Sequence, residues 1–399
     1  MGAICLAGVS YDSETYARPC ARVRWRCGQP AIVSIIVMMR LARVCVAVVL
    51  IEVVGVYAIV PSNALRQVHA RSGQKPSESS ALLIDKELVR STIDSLARII
   101  GQEYVDADVA SRVDAYLRKC LAGGRYQQNT PGELAQTVTQ DLFTSSHDQH
   151  LFMIISADAG KASSVPQGSR EQTARSSNFG IQRVEILPGN IGYLNLTSFY
   201  RPEEARDTFV AAMQVLAHTD ALVLDLRENK GGSPDMAVLL ASFMFDQPGL
   251  PLFSVTPGSG GEPMRFATVQ TPRPGSNGER PLYVLTSHST WSAGEGVAFL
   301  LQERHRAEII GETTAGAANP GRPYRVNALF DVNVPNGRVK SAVLGRNWEG
   351  VGVVPDVPTS AADALEVAHA RALRRLLDLT PQGWRHDEIE RELQVPSRK

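Results

Sequence analysis

From Leu82 to Ala122 apolar residues recur three and four apart: Leu88, Leu96, Ile99 and Ile100, then Val109, Val113, Leu117 and Leu121. That spacing predicts helix, ended by Gly123-Gly124. A second helix opens at Thr130-Pro131-Gly132-Glu133, with Thr130 as N-cap, proline in the first turn and an acid three residues beyond the cap. It runs to about Phe143. Leu151–Ile155 reads as a short apolar strand. From Gly180 onward the pattern changes. Strands are predicted at 192–196, 221–226, 281–286 and 308–311, and helices at 202–217, 234–245 and from 293 to about 304. Residues 221–226 (Ala-Leu-Val-Leu-Asp-Leu) are apolar on nearly every position, as in a strand covered on both faces. Strand, helix and strand with short connections imply a parallel or mixed sheet with helices on its faces, an α/β (α+β) fold. Residues 157–178 are small and polar, and 257–280 are rich in Gly and Pro; both read as loops.

The first 64 residues follow another rule. Arg18, Arg22, Arg24 and Arg26 precede an apolar stretch, and Met38-Met39 stand just before Arg40 and Arg43. From Val44 to Val60 only Glu52 interrupts an apolar run, and Ser62-Asn63-Ala64 follows it. A basic head, an apolar stretch and small residues resemble a secretory signal peptide, with Met38 or Met39 as the start and residues 1–37 untranslated. The run also approaches the ~20 residues of a bilayer span, so an uncleaved anchor is the competing reading. Either way the chain is expected outside the cytoplasm, periplasmic or secreted, touching membrane only through this segment. Residues 65–80, polar and small, read as a linker. Cys5, Cys20, Cys27 and Cys45 lie in the part to be removed, which leaves Cys120 alone and excludes an internal disulfide or a cysteine-clustered zinc site. Without residues 1–64 the chain carries 35 basic against 38 acidic residues. That balance supplies no basic field for nucleic acid.

Four segments carry candidate chemistry. Ser292, in Thr290-Trp291-Ser292-Ala293-Gly294-Glu295, follows a buried strand and opens a helix. It fits an N-cap completed by Glu295, and it fits equally a nucleophile whose small neighbours and helix N-terminus favour a developing anion. Gly231-Gly232, after the most apolar strand, fit a sharp turn or an oxyanion hole. His147 and His150 flank Asp148, as solvated surface residues or as a general base; no Glu or Cys at ligand spacing argues for a metal. Glu349, in Asn347-Trp348-Glu349-Gly350-Val351-Gly352-Val353-Val354-Pro355-Asp356, belongs to an acid-and-glycine segment suited to a turn or to orienting a base.

In this order the four segments, with Gly311-Glu312-Thr313-Thr314-Ala315-Gly316, resemble the C-terminal-processing (tail-specific) serine protease superfamily, and more closely its tricorn-core and interphotoreceptor retinoid-binding-protein-like branch. The resemblance covers roughly residues 82–370. It implies a crotonase-like ββα-type mixed sheet core over residues 146–378, a small helical domain over 81–145 and a C-terminal tail over 379–399. It implies Ser292 as nucleophile and Gly231 or Gly232 with Ala293 as oxyanion donors. The processing proteases use a lysine after Gly-Glu-Thr; residues 315–320 here hold none. The tricorn-like branch uses a histidine and a glutamate, which correspond to His150, with His147 as the alternative, and Glu349. Acyl transfer onto Ser292 then needs no cofactor and no metal, and the partner is a peptide or protein substrate. The chain departs from many relatives at Ser233, where they have a third glycine, and at Asn319, where they have a histidine. The about 22 residues of 157–178 cannot form an inserted peptide-binding domain. The retinoid-binding relatives leave a second function open, binding or hydrolysis of a small apolar ligand.

Overall fold

The computed structural model describes residues 84–156, 167–272 and 280–394. The expected leader and linker therefore lie outside the described residues. Among the described residues no helix is long and apolar enough to cross a membrane.

The first helical stretch is two helices, α1 (Lys86–Glu103) and α2 (Ala107–Ala122), not the continuous one expected. The break is chemical: Tyr104 is extended, and the Asp106 side chain accepts from the Asp108 and Val109 N–H groups, starting a new helix. Helix α3 (Pro131–Ser146) opens at Thr130 as predicted and ends at His147, which holds a left-handed conformation with φ 59°. These three helices bury Ile93, Leu96, Val113, Leu117, Leu134 and Leu142 against one face of a three-stranded antiparallel sheet. That sheet is β1 (Phe152–Ile155), β10 (Phe330–Pro335) and β9 (Gly321–Arg325) in the order β1-β10-β9. Phe330, Val332 and Val334 point into the shared core by the period-2 rule.

After α4 (Gln167–Ser176), the main sheet begins with β2 (Ile181–Leu187) and β3 (Ile191–Leu196). Then come α5 (Pro202–Val215), β4 (Ala221–Asp225), α6 (Pro234–Met244), β5 (Pro251–Pro257) and β6 (Met264–Ala267). Next are β7 (Leu282–Thr286), α7 (Ala293–Glu303) and β8 (Glu308–Gly311), and beyond β9 and β10 lie β11 (Gly337–Ser341), β12 (Val357–Pro358), α8 (Ala364–Leu379) and α9 (Trp384–Gln394). The six-stranded sheet runs β12-β8-β7-β4-β3-β2, parallel except for β2. Strand β4 shows why its sequence lacks polar alternation. Leu222 and Leu224 face α5, α6 and α7, while Ala221 and Val223 face Ala368, Ala372 and Leu373 of α8. Strands β11-β5-β6 form a third sheet, antiparallel, beside α6 and α7.

Several elements were not expected. Strand β6 lies inside the segment read as a Gly/Pro-rich loop, and α4 inside the one read as polar loop. The tail contains α9, whose Ile389 is buried against α8 and whose Arg385 donates to the Gly189 carbonyl and the Asp220 carboxylate. Residues 379–394 are thus packed structure.

Candidate active site

Ser292 sits where β7 hands the chain to α7. Its backbone is at φ 55°, ψ −121°, a region that costs a non-glycine residue about 1–3 kcal/mol. Neighbours fix it there. The Trp291 N–H donates to the Asn229 carbonyl at 2.9 Å, the Ser292 N–H to Glu295 Oε2 at 2.8 Å, and the Gly296 N–H to the Ser292 carbonyl at 3.0 Å. Glu295 is fully buried and does more than cap the helix. It also accepts from Thr314 Oγ1 (2.6 Å), the Gly316 N–H (2.5 Å) and the Ala317 N–H (2.9 Å). One carboxylate thereby joins the serine turn to the loop after β8.

His150 comes from the turn between α3 and β1. Its Nε2 lies 3.1 Å from Ser292 Oγ, across 142 residues of sequence. Three contacts hold it: its N–H donates to Asp148 Oδ1 (2.8 Å), Asn333 Nδ2 donates to its carbonyl (2.7 Å), and its ring packs on Trp291 with centroids 4.2 Å apart. Burial pushes its pKa down from 6.5 to about 4, so the ring is neutral at pH 7, as a base must be. His147 is exposed at the end of α3, edge-on to Phe143. The two histidines share a turn, and only His150 meets the serine.

Glu349 Oε2 accepts from the Ala318 (2.7 Å) and Asn319 (2.8 Å) N–H groups, which leaves Oε1 buried without a partner. His150 Nδ1 is also buried and unpartnered. A ring nitrogen of His150 and one oxygen each from Asp148 and Glu349 lie within 4.8 Å of one another. Burial, then the Asp148 charge, raises the Glu349 pKa from 4.5 to about 7. These three residues could also hold a cation. As a donor set they offer one nitrogen and two carboxylates, of which Glu349 Oε1 is the oxygen with no hydrogen bond.

The glycine pair divides its labour. Gly231 (φ 75°) donates its N–H to Asn229 Oδ1 at 2.8 Å, so it is not the anion donor considered for it. Its value is closeness: a Cβ there would stand 2.7 Å from Ser292 Cβ and 3.0 Å from the Ala293 nitrogen. Gly232 and Ala293, at the N-terminus of α7, remain as candidate donors. Lys230 donates to the Ser289 carbonyl at 3.0 Å. Beside Ser292 opens an apolar cavity of about 170 Å³, walled by Phe253, Val255, Phe266, Leu300 and Trp348, with Met264 at its edge.

A serine on a strained strand-to-helix turn, a buried neutral histidine and a carboxylate with one unpartnered oxygen form a candidate hydrolase-type centre. Residues 190–359 match the model of Peptidase family S41. The chain is 30% identical over 192 residues to the chloroplastic carboxyl-terminal-processing peptidase 2 of Arabidopsis thaliana, covering 44% of this chain and 34% of that protein. It is 30% identical over 187 residues to the carboxy-terminal-processing protease of Bartonella bacilliformis, covering 44% and 39%. The match thus spans little more than a third of those relatives' length. A solved peptidase structure from Parabacteroides merdae shares the fold at TM-score 0.52 and 19% identity, over 71% of this chain and 96% of that one. An S499A mutant of CPAF does so at 0.50 and 12%, over 74% and 99%. The resemblance to the processing proteases and the mixed α/β fold expected from the sequence are borne out.

Proposed function

We propose that the protein is an exported serine peptidase acting through an acyl-enzyme on Ser292. The contact of His150 Nε2 with Ser292 Oγ carries this reading. Neutral His150 takes the hydroxyl proton as Ser292 attacks the scissile carbonyl, and the Gly232 and Ala293 N–H groups receive the oxyanion. Ionised Glu349, with one carboxylate oxygen within 4.8 Å of a His150 ring nitrogen, favours the imidazolium that forms. His150 then returns the proton to the leaving amine, and water releases the acyl group. A cavity near 150 Å³ admits a benzene-sized group, so the apolar pocket suits one medium apolar side chain of the substrate. The His-based centre supports the tricorn-like branch over a Ser–Lys dyad.

The same pocket favours the second reading, hydrolysis or binding of a small apolar ligand. Fluorophosphonate labelling of the mature protein separates an enzyme from a binder. Labelling should vanish in Ser292→Ala and His150→Ala and persist in His147→Ala; equal labelling of wild type and Ser292→Ala would overturn the nucleophile. Turnover of peptides rather than short esters then selects the peptidase. Export is tested by N-terminal sequencing of the mature protein, which should begin near residue 65; an intact Met1 refutes it.

A further inference from the structure

The Ser292–His150–Glu349 reading leaves Asp148 unused, although it is more deeply buried than Glu349 (3% exposed). Nothing about a turn requires a buried acid beside a second one. Its two oxygens are claimed by different layers of the protein. Oδ1 accepts the His150 N–H at 2.8 Å, the i to i+2 bond of an Asx turn that aims the ring. Oδ2 accepts the Tyr104 hydroxyl at 2.8 Å, from the residue that ends α1.

We propose that Asp148 is a positioning residue of the hydrolytic centre, fixing the His150 turn and setting, as a second negative charge, how readily Glu349 ionises, with Tyr104 governing Asp148 in turn. This rests on the Ser292–His150–Glu349 reading.

The groups facing the pair are His150 from the same turn, Tyr104 from the end of α1, and Glu295 from α7; Asp106, beyond Tyr104, is paired with Arg338. The charges acting on Glu349 most strongly are thus those of two acids, Asp148 and Glu295. Neighbouring buried carboxylates resist ionising together. Burial raises both and two donors on each pull it back, but Glu349 alone is raised further by its partner's charge, so Asp148 ionises first. Glu349 then keeps its proton until near-neutral pH. The acid limb of activity therefore belongs to the carboxylate pair, and one hydroxyl links the helical layer to it. Burial, and after it the Asp148 charge, drives the Tyr104 pKa upward.

The test is the rate constant of fluorophosphonate labelling as a function of pH in wild type, Asp148→Asn and Tyr104→Phe. Asparagine keeps the acceptor for the His150 N–H and removes the charge, so the acid limb should move down by about one pH unit. Tyr104→Phe removes one donor, makes Asp148 a better proton holder, and should shift the limb in the same direction by less. A uniform loss of rate with the limb unmoved in both variants would make the two residues merely structural and overturn the proposal, as would a shift to higher pH. If Asp148→Asn does not fold, Tyr104→Phe, short of one hydroxyl, decides alone. A wild type that never labels sinks the nucleophile reading and this inference with it, a result distinct from an unmoved limb.

Discussion

Glu295→Gln is the most informative single change. The carboxylate accepts four hydrogen bonds, two at each oxygen: Thr314 Oγ1 and the Gly316 N–H at Oε1, the Ser292 and Ala317 N–H groups at Oε2. A glutamine of the same size has one acceptor oxygen. Its amide NH₂ must then point at one of those pairs, so one or two buried N–H groups lose their partner. Each orphaned donor costs about 1–3 kcal/mol, and the bonds that remain lose their charge assistance. The expected loss is about 1–6 kcal/mol against a total stability of about 5–15 kcal/mol. Chemical unfolding should show a lower midpoint with an unchanged slope. The turn should respond as well, because the strain at Ser292, about 1–3 kcal/mol, is comparable to the bond that opposes it. Release of the Ser292 N–H should lower fluorophosphonate labelling at least about tenfold, the kinetic equivalent of ~1.4 kcal/mol. A variant within about 0.5 kcal/mol of wild type and labelling at the wild-type rate would refute the anchoring role. Lost stability with labelling intact would refute only the link to strain.

Glu349→Gln should trade function for stability. The folded carboxyl, at about 7 rather than 4.5, binds its proton more tightly than the unfolded one. The stability it withholds is therefore absent below pH 4.5 and complete above pH 7, at most about 3 kcal/mol. Glutamine should stabilise the fold at pH 8 and not at pH 4, while slowing labelling; equal effects at both pH values would exclude the shift. Gly231→Ala places its Cβ 2.7 Å from Ser292 Cβ at φ 75°, and should abolish labelling by about a hundredfold or more. Normal labelling would show the turn can yield. Met264→Asp, at the exposed edge of the apolar pocket, should raise KM for substrates with an apolar side chain there and leave kcat nearly unchanged. A fall in kcat alone would place the pocket outside the binding path. Preincubation with EDTA should leave labelling unaffected; its loss, restored by a divalent cation, would assign Asp148, His150 and Glu349 to a metal.

What the sequence disclosed was whatever depends on neighbours along the chain. The two-sided burial of β4, the Thr130 start of α3 and the helix beginning at Ser292 follow from period and capping, so they were readable residue by residue. The α1–α2 break carried local signals too, an N-cap at Asp106 and a nine-residue step from Ile100 to Val109 that sets the two apolar stripes about half a turn out of phase, but each stripe taken alone reads as helix and concealed it. Strand β6 escaped because its glycine-rich surroundings read as loop, and it is held by pairing with β5, a contact no local period encodes. The site divides in the same way. Ser292 and Gly231-Gly232 announce a turn in their own segments, whereas choosing between His147 and His150 rested on resemblance, because both occupy one turn. The structural difference between them arises far away: β1 pairs with β10, Asn333 of β10 takes the His150 carbonyl, and Asp148 takes its N–H. Glu295 looked like an ordinary capping acid because three of its four donors belong to residues 314–317, which approach only after β7 and β8 pair. An acid with one local bond and three distant ones is invisible as an anchor until the sheet forms, and that is why the residue most tightly bound at this site was the one the sequence described least.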